Sequence, residues 1–292
     1  MHSHKLCLLG YGSGIGGADS SSAEGPFVLR QSAYFSMGIA RELSIHWGEI
    51  TQPQEGLSKV KNIEQQCKTL AASVVDLVSS KKQFVVLGGD HSSAIGTWSG
   101  ASAAVNSEGS LGLIWIDAHL DSHTEETSIS GNIHGMPVAC LLGCGNSNLI
   151  NIINEKPKLK PENICLIGVR SFEEGEAAFL KRLNVRVFFM EEVKQRGINA
   201  VIKEAIEIAT RGTAAFGVSI DIDSIDPIDA PGTGTREPDG IRADDLISAL
   251  TLFSHVHNLI GVEIAEFDPS KDKNHITEKL IPRLINAVFL GK

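Results

Sequence analysis

Leu113-Ile114-Trp115-Ile116-Asp117-Ala118-His119-Leu120-Asp121 is an apolar run that breaks into alternating acids and a histidine. Four consecutive apolar residues read as a strand buried on both faces, as in a parallel sheet. In an extended chain Asp117, His119 and Asp121 share one side. Two other segments repeat the arrangement. Residues 84–87 lead into Gly88-Gly89-Asp90-His91, and residues 216–220 lead into Asp221-Ile222-Asp223, whose acids again alternate. Functional groups of open α/β sheets gather beyond the carboxyl ends of the strands, so segments far apart in sequence can meet there.

Six of these residues look like the coordination shell of a two-metal site: His91, Asp117, His119, Asp121, Asp221 and Asp223. Four carboxylates and two imidazoles in one place without a cation would be strongly unfavourable. The carboxylates carry about −4 and two divalent ions about +4, which leaves the shell near neutral. Oxygen and imidazole donors without thiolate favour Mn²⁺ over Mg²⁺, Zn²⁺, Co²⁺ or Ni²⁺. Two ions ~3.5–4 Å apart would hold a bridging water and lower its pKa, giving hydroxide at neutral pH. A single Asp-x-Asp is ordinarily a strand-end acid that caps a helix or turns a loop; three such segments together point to chemistry.

The whole chain fits a soluble globular protein. Its 292 residues are 42% hydrophobic and 21% charged, enough to bury a substantial core. A net charge of −9 argues against nucleic acid or an anionic membrane as partner and suits a cationic small molecule. No apolar run reaches the roughly 18 residues of a membrane span, and residues 1–5 lack the apolar stretch of a signal peptide. Five cysteines (Cys7, Cys67, Cys140, Cys144 and Cys165) lie mostly in apolar segments. They read as free thiols in a reducing, cytoplasmic setting.

Apolar runs alternate with amphipathic ones, which predicts one three-layer α/β/α domain spanning residues 1–292, with a mostly parallel sheet of about eight strands. The strands are expected at 6–9, 43–47, 84–87, 113–117, 164–169, 185–189, 216–221 and 259–265. Helices are expected at 25–36, 58–79, 92–105, 134–142, 174–183, 191–210, 243–255 and 275–290. Long connections at 120–133 and 222–241 follow metal-binding strands, where substrate selection usually sits. The prolines at 227, 231 and 238 predict that the second is rigidly turned.

Some motifs point elsewhere. Gly12-Ser13-Gly14-Ile15-Gly16-Gly17 matches a dinucleotide fingerprint, but Ala18-Asp19-Ser20-Ser21-Ser22 follows where a helix should open, so it reads as a flexible or turn-forming loop. His123-Thr124-Glu125 lacks the cysteine half of a zinc deaminase site. Neither GxSxG nor HExxH occurs, which sets aside those hydrolase classes.

Taken together, GGDHS at 88–92, DAHxD at 117–121 and SIDIDxxDP at 219–227 resemble the ureohydrolase family, the arginases and agmatinases. Ser130-Gly131-Asn132-Ile133-His134-Gly135-Met136-Pro137 is similar to the loop of the arginases, and Glu266-Phe267-Asp268-Pro269 resembles the family's Glu-Val-x-Pro segment. The resemblance implies a homo-oligomer, trimer or hexamer, that uses two Mn²⁺ per chain to hydrolyse L-arginine to urea and L-ornithine. Agmatine or another guanidino compound is the alternative substrate, and a non-catalytic binding protein of the same fold is a third reading. It further implies that His91 and Asp121 bind one ion, His119 and Asp223 the other, with Asp117 and Asp221 bridging. Bridging hydroxide would attack the guanidinium carbon, and Asp121 would pass a proton to the leaving amine. His134 would shuttle protons, and Glu266 would orient the guanidinium. The substrate's carboxylate would meet His123, Ser128, Ser130 and Asn132, and its α-amino group Glu173 and Glu176.

Several of these residues also admit plainer roles. His134 could cap the helix expected to start at it. Glu266 could pair with a surface base. Glu173 and Glu176 could simply face a helix dipole. Where arginases typically carry Asn, this chain has His123, and where they commonly carry Asp it has Glu173.

Overall fold

In the computed structural model, which describes residues 4–292, all eight expected strands form and pair in parallel. They are β1 (His4–Tyr11), β2 (Leu43–Thr51), β3 (Gln83–Gly88), β4 (Ser110–Ile116), β5 (Leu159–Val169), β6 (Arg186–Phe189), β7 (Thr213–Asp221) and β8 (Leu259–Ala265). The order across the sheet is β2-β1-β3-β8-β7-β4-β5-β6. The three strands that lead into the ligand segments, β3, β7 and β4, therefore sit at the centre with β8 among them.

Central strands must be covered on both faces, which is why they read as unbroken apolar runs. Val85, Leu87, Ile114, Ile116, Val218 and Ile220 join one buried cluster. Val86, Leu113 and Trp115 point the other way and join a second. Helices Met190–Arg196, Ile198–Thr210, Ala243–Leu250 and Ile276–Leu290 cover the first face. Lys59–Ser79, Ser93–Val105 and Glu174–Arg182 cover the second. The result is the expected three-layer arrangement. No described helix is long and apolar enough to cross a membrane.

The departures from expectation have local causes. The helix expected at 25–36 is two, Gly25–Gln31 and Ala33–Gly38, because Ser32 turns extended and accepts the Phe35 N–H to cap the second. The helix expected at 191–210 breaks at Gly197, whose φ of 79° suits glycine. The helix expected at 134–142 is a 3-10 turn, Ile133–Gly135, followed by Pro137–Leu141, since Pro137 offers no N–H and starts a helix best. The helix expected at 243–255 tightens to a 3-10 turn at Thr251–His255.

A larger correction concerns how the acids converge. β4 stops at Ile116, one residue short of expectation, and β7 gives way after Asp221 to the 3-10 turn Ile222–Ser224. Strand alternation therefore does not align Asp117, His119 and Asp121; a loop does, with Asp121 at a φ of 47°.

The glycine loop is packed rather than flexible. Gly89 N–H donates to the Tyr11 carbonyl at 2.7 Å and Asp90 N–H to the Ser13 carbonyl at 2.8 Å, so residues 11–13 lie directly on the turn after β3. Gly16 N–H donates to Asp90 Oδ2 at 2.9 Å, and its carbonyl accepts the Ile133 N–H at 2.8 Å. A Cβ on Gly89 would overlap the Ser13 carbonyl, a backbone atom. Gly89→Ala is expected to cost about 1–3 kcal/mol of stability, because a packed loop must shift. Chemical denaturation reads this directly; unchanged stability would mean the loop gives way freely.

Candidate metal centre

The six expected ligands meet in one place. His91 Nδ1 lies 3.3 Å from Asp117 Oδ2, 3.2 Å from Asp121 Oδ2 and 3.1 Å from Asp221 Oδ2. His119 Nδ1 lies 3.4 Å from Asp117 Oδ1 and 3.2 Å from Asp223 Oδ2. Asp117 thus offers one oxygen to each histidine. The donors form two clusters, His91 with Asp117 and Asp221, and His119 with Asp117 and Asp223, that share this carboxylate.

The carboxylates are held by the backbone that follows each strand. Asp117 Oδ1 accepts the His119 N–H at 2.7 Å, and Asp221 Oδ1 accepts the Asp223 N–H at 2.8 Å. Trp115 Nε1 donates to Asp117 Oδ2 at 2.8 Å, and its ring stacks on His91 with centroids 4.1 Å apart. Each carboxylate is thereby oriented while oxygen lone pairs remain for a cation.

One atom tests whether this shell suits metal. His91 is 1% exposed, and its Nδ1 has no hydrogen-bond partner, although three carboxylate oxygens surround it. None of the three meets the direction a hydrogen bond needs, so the ring nitrogen and the oxygens face a common centre. A buried polar atom left unpaired is unfavourable; a cation at that centre would satisfy it and the oxygens together. Hard oxygens and imidazole nitrogens without sulfur fit a divalent ion of the Mn²⁺ type.

Electrostatics agree. Burial opposes a charge on His91, yet Asp117, Asp121 and Asp221 outweigh it and hold its pKa well above an ordinary imidazole. His119 is shifted the same way against its own burial, chiefly by Asp223 and Asp117. Asp121 is pushed up to about 7, first by burial and then by the charge of Asp117. Burial, Asp223 and Asp117 raise Asp221 as well. The protein without cations therefore holds protons in this cluster that ligation must expel.

Beside the ligands lies a cleft of about 300 Å³, lined by every expected substrate residue: His123, Ser128, Ser130, Asn132, Glu173 and Glu176, together with His134 and Glu266. Glu266 is 8% exposed and does not pair with a surface base. Its Oε1 accepts the His91 N–H at 2.8 Å and lies 3.0 Å from His134 Nδ1. His134 does not cap the following helix, whose N-cap is Met136. Burial opposes its charge, but Glu266 prevails and raises its pKa to about 9. Glu173 and Glu176 do form a capping box on helix Glu174–Arg182, as the plainer reading had it. They also face the cleft: His123 Nε2 lies 3.1 Å from Glu173 and 3.3 Å from Glu176. No Lys or Arg is among the residues lining the cleft.

Sequence reasoning passed over Thr235 and Glu237, which line the cleft from the 222–241 connection. It also passed over Arg170, which holds that connection in place. Arg170 donates to the carbonyls of Asp223 at 2.7 Å, Glu237 at 2.8 Å and Pro238 at 2.9 Å. A base directly after a buried strand was the available signal.

Comparison with known proteins places the chain. The model of the Arginase family matches residues 4–291. A curated arginase of Bacillus subtilis is 39% identical over 240 residues, 82% of this chain and 79% of that one. A crystal structure of arginase from Bacillus subtilis superposes with a TM-score of 0.90 at 32% identity, covering 99% of both chains. The Entamoeba histolytica arginase solved with L-ornithine does so at 0.90 and 29% identity, over 99% of this chain and 100% of that one. Fold and site together define a metal-dependent hydrolase. The chain belongs to the arginase family.

Because both histidines are held protonated near neutrality and must lose those protons to ligate, Mn²⁺ binding should release protons. The sign is fixed: affinity rises as pH increases from ~6 to ~8, since protons compete with the ion for the same nitrogens. Calorimetry in buffers of different ionisation enthalpy measures the release; a heat independent of buffer would contradict it.

Proposed function

We propose that the chain is a Mn²⁺-dependent arginase that hydrolyses L-arginine to urea and L-ornithine. The observation that carries this reading is the pair of His/Asp clusters sharing Asp117, at the foot of a cleft whose residues match those the resemblance assigns to substrate. The named relatives agree with it. His91, Asp117 and Asp121 would hold one ion, His119, Asp117 and Asp223 the other, with Asp221 shared. When bound, the ions supply an activated water at neutral pH and polarise the group it attacks.

The protein's own groups do the rest. Glu266 commits Oε1 to His91 and His134, which leaves Oε2, on the Gly234 side, to accept guanidinium N–H bonds and orient the planar group. Asp121 reaches into the cleft at a φ of 47° and is placed to carry a proton from water to the leaving amine. His134, hydrogen-bonded to Glu266 and partly exposed, would pass that proton on toward solvent. Ser128, Ser130 and Asn132, which also line the cleft, would offer neutral hydrogen bonds to the α-carboxylate. His123 lies there too, with Thr127 Oγ1 3.1 Å from its Nδ1, and Glu173 and Glu176 would receive the α-ammonium.

A urea assay on arginine and agmatine, with and without Mn²⁺, tests the reading. Mn²⁺-dependent turnover that favours arginine is expected, and equal or faster turnover of agmatine sinks the arginine assignment. His134→Ala is expected to slow kcat by ~10²-fold or more, the scale of one lost proton-transfer group, with metal content unchanged. Loss of metal in that variant would make His134 part of the centre instead.

A further inference from the structure

Glu263 is a buried carboxylate of the central sheet that the chemistry above leaves unused. It sits in the middle of β8 at 0% exposure, a place carboxylates occupy only when fully satisfied. Four side chains turn donors onto it. Ser93 Oγ and Thr97 Oγ1 donate to Oε1, each at 2.8 Å; Trp98 Nε1 at 3.1 Å and Ser219 Oγ at 2.9 Å donate to Oε2. Register places Ser219 of β7 directly beside Glu263. Ser219 Oγ in turn lies 2.9 Å from His91 Nε2.

Proton bookkeeping fixes the direction of this chain. Burial raises the Glu263 pKa, but four donor groups converge on its two oxygens; as the anion these favour, it accepts the single Ser219 hydroxyl proton in a hydrogen bond. The Ser219 oxygen can then only accept from the ring, so when His91 gives up a proton on ligation it keeps the one on Nε2 and presents the Nδ1 lone pair on the side of Asp117, Asp121 and Asp221. Reversal would send the Ser219 proton to Nε2 and put the ring proton on Nδ1, where an ion must bind. His119 has no such chain behind it; its Nε2 faces Glu237 at 3.7 Å.

We propose that Glu263 is a positioning residue for metal capture: acting through Ser219, its carboxylate locks His91 in the tautomer that presents Nδ1 to the ion shared with Asp117 and Asp221. The inference rests on the two-ion reading above. Its consequence is asymmetric: losing the carboxylate's charge weakens the ion at His91 and spares the ion at His119.

The test is a double-mutant cycle on the full chain stripped of metal, with Mn²⁺ titrated by calorimetry into wild type, Glu263→Gln, Ser219→Ala and the double variant. Gln preserves shape and can still accept from Trp98 and Ser219, but as a neutral amide it holds the Ser219 proton less firmly than a carboxylate and so weakens the lock on the His91 tautomer. Glu263→Gln is expected to weaken one of the two ions by ~10-fold to ~100-fold, the range for loss of a partner behind a ligand. The other ion should stay within ~3-fold, and the double variant should bind no worse than the weaker single one. Wild-type affinity for both ions in Glu263→Gln overturns the proposal, as do equal losses at both sites or losses that multiply independently. Thermal midpoints of the metal-free proteins are read in parallel; a lower midpoint with unchanged affinity makes Glu263 a core residue only. If Glu263→Gln does not fold, Ser219→Ala carries the test, and normal affinity there overturns the proposal. Wild-type protein that takes up no Mn²⁺ overturns the two-ion reading and this inference with it, whereas wild-type uptake with an unaffected Glu263→Gln overturns this inference alone.

Discussion

Mutual repulsion among four buried aspartates is the constraint around which this molecule is arranged. Asp117, Asp121, Asp221 and Asp223 are each 7% exposed or less. Burial and like charge raise three of them, while the two imidazoles overcome burial to hold the shared Asp117 low. Such a group of acids is tolerable only with matching positive charge. Two imidazolium groups supply part of it in the protein alone, and two divalent cations would supply all of it while freeing the imidazoles to ligate. The same physics that makes the site unfavourable empty makes it an effective metal trap, because the binding energy of the ions includes relief of that repulsion.

Holding these groups together requires a rigid base, and the centre of the parallel sheet provides one. β3, β8, β7 and β4 are neighbours, so the turns after them lie side by side and each contributes candidate ligands or their supports. The turns themselves are strained where they matter. Asp121 and Glu266 have φ values of 47° and 64°, conformations that cost non-glycine residues of order 1–3 kcal/mol and persist only where surroundings dictate them. Packing of the glycine loop on Asp90, the Arg170 contacts under the 222–241 connection and the Glu263 network behind His91 are those surroundings.

Much of this was legible in the residues themselves. The apolar runs at 84–87, 113–116 and 216–220 could be read as buried strands because nothing polar interrupts them, and the ligands follow immediately. What periodicity could not reveal is that alternation ends at Ile116: extended strand and extended loop look alike until hydrogen bonds are seen. The breaks at Ser32 and Gly197 were hidden for a related reason, since a capping serine and a single glycine are tolerated inside helical patterns as well as between them. Glu173 and Glu176 proved ambiguous in a different way. The capping box and the contact with His123 use the same side chains, so the structural and functional readings do not exclude each other. Glu263 was visible as a lone acid in an apolar strand, but only the cross-strand register to Ser219 ties it to the site.

The most direct measurement is anomalous diffraction from Mn²⁺-loaded crystals, recorded on both sides of the manganese edge. Two peaks about 3.5–4 Å apart are expected, one ringed by His91 Nδ1, Asp117 and Asp221 and the other by His119 Nδ1, Asp117 and Asp223. Peaks elsewhere, or a featureless map between those side chains at saturating Mn²⁺, would contradict a two-ion centre.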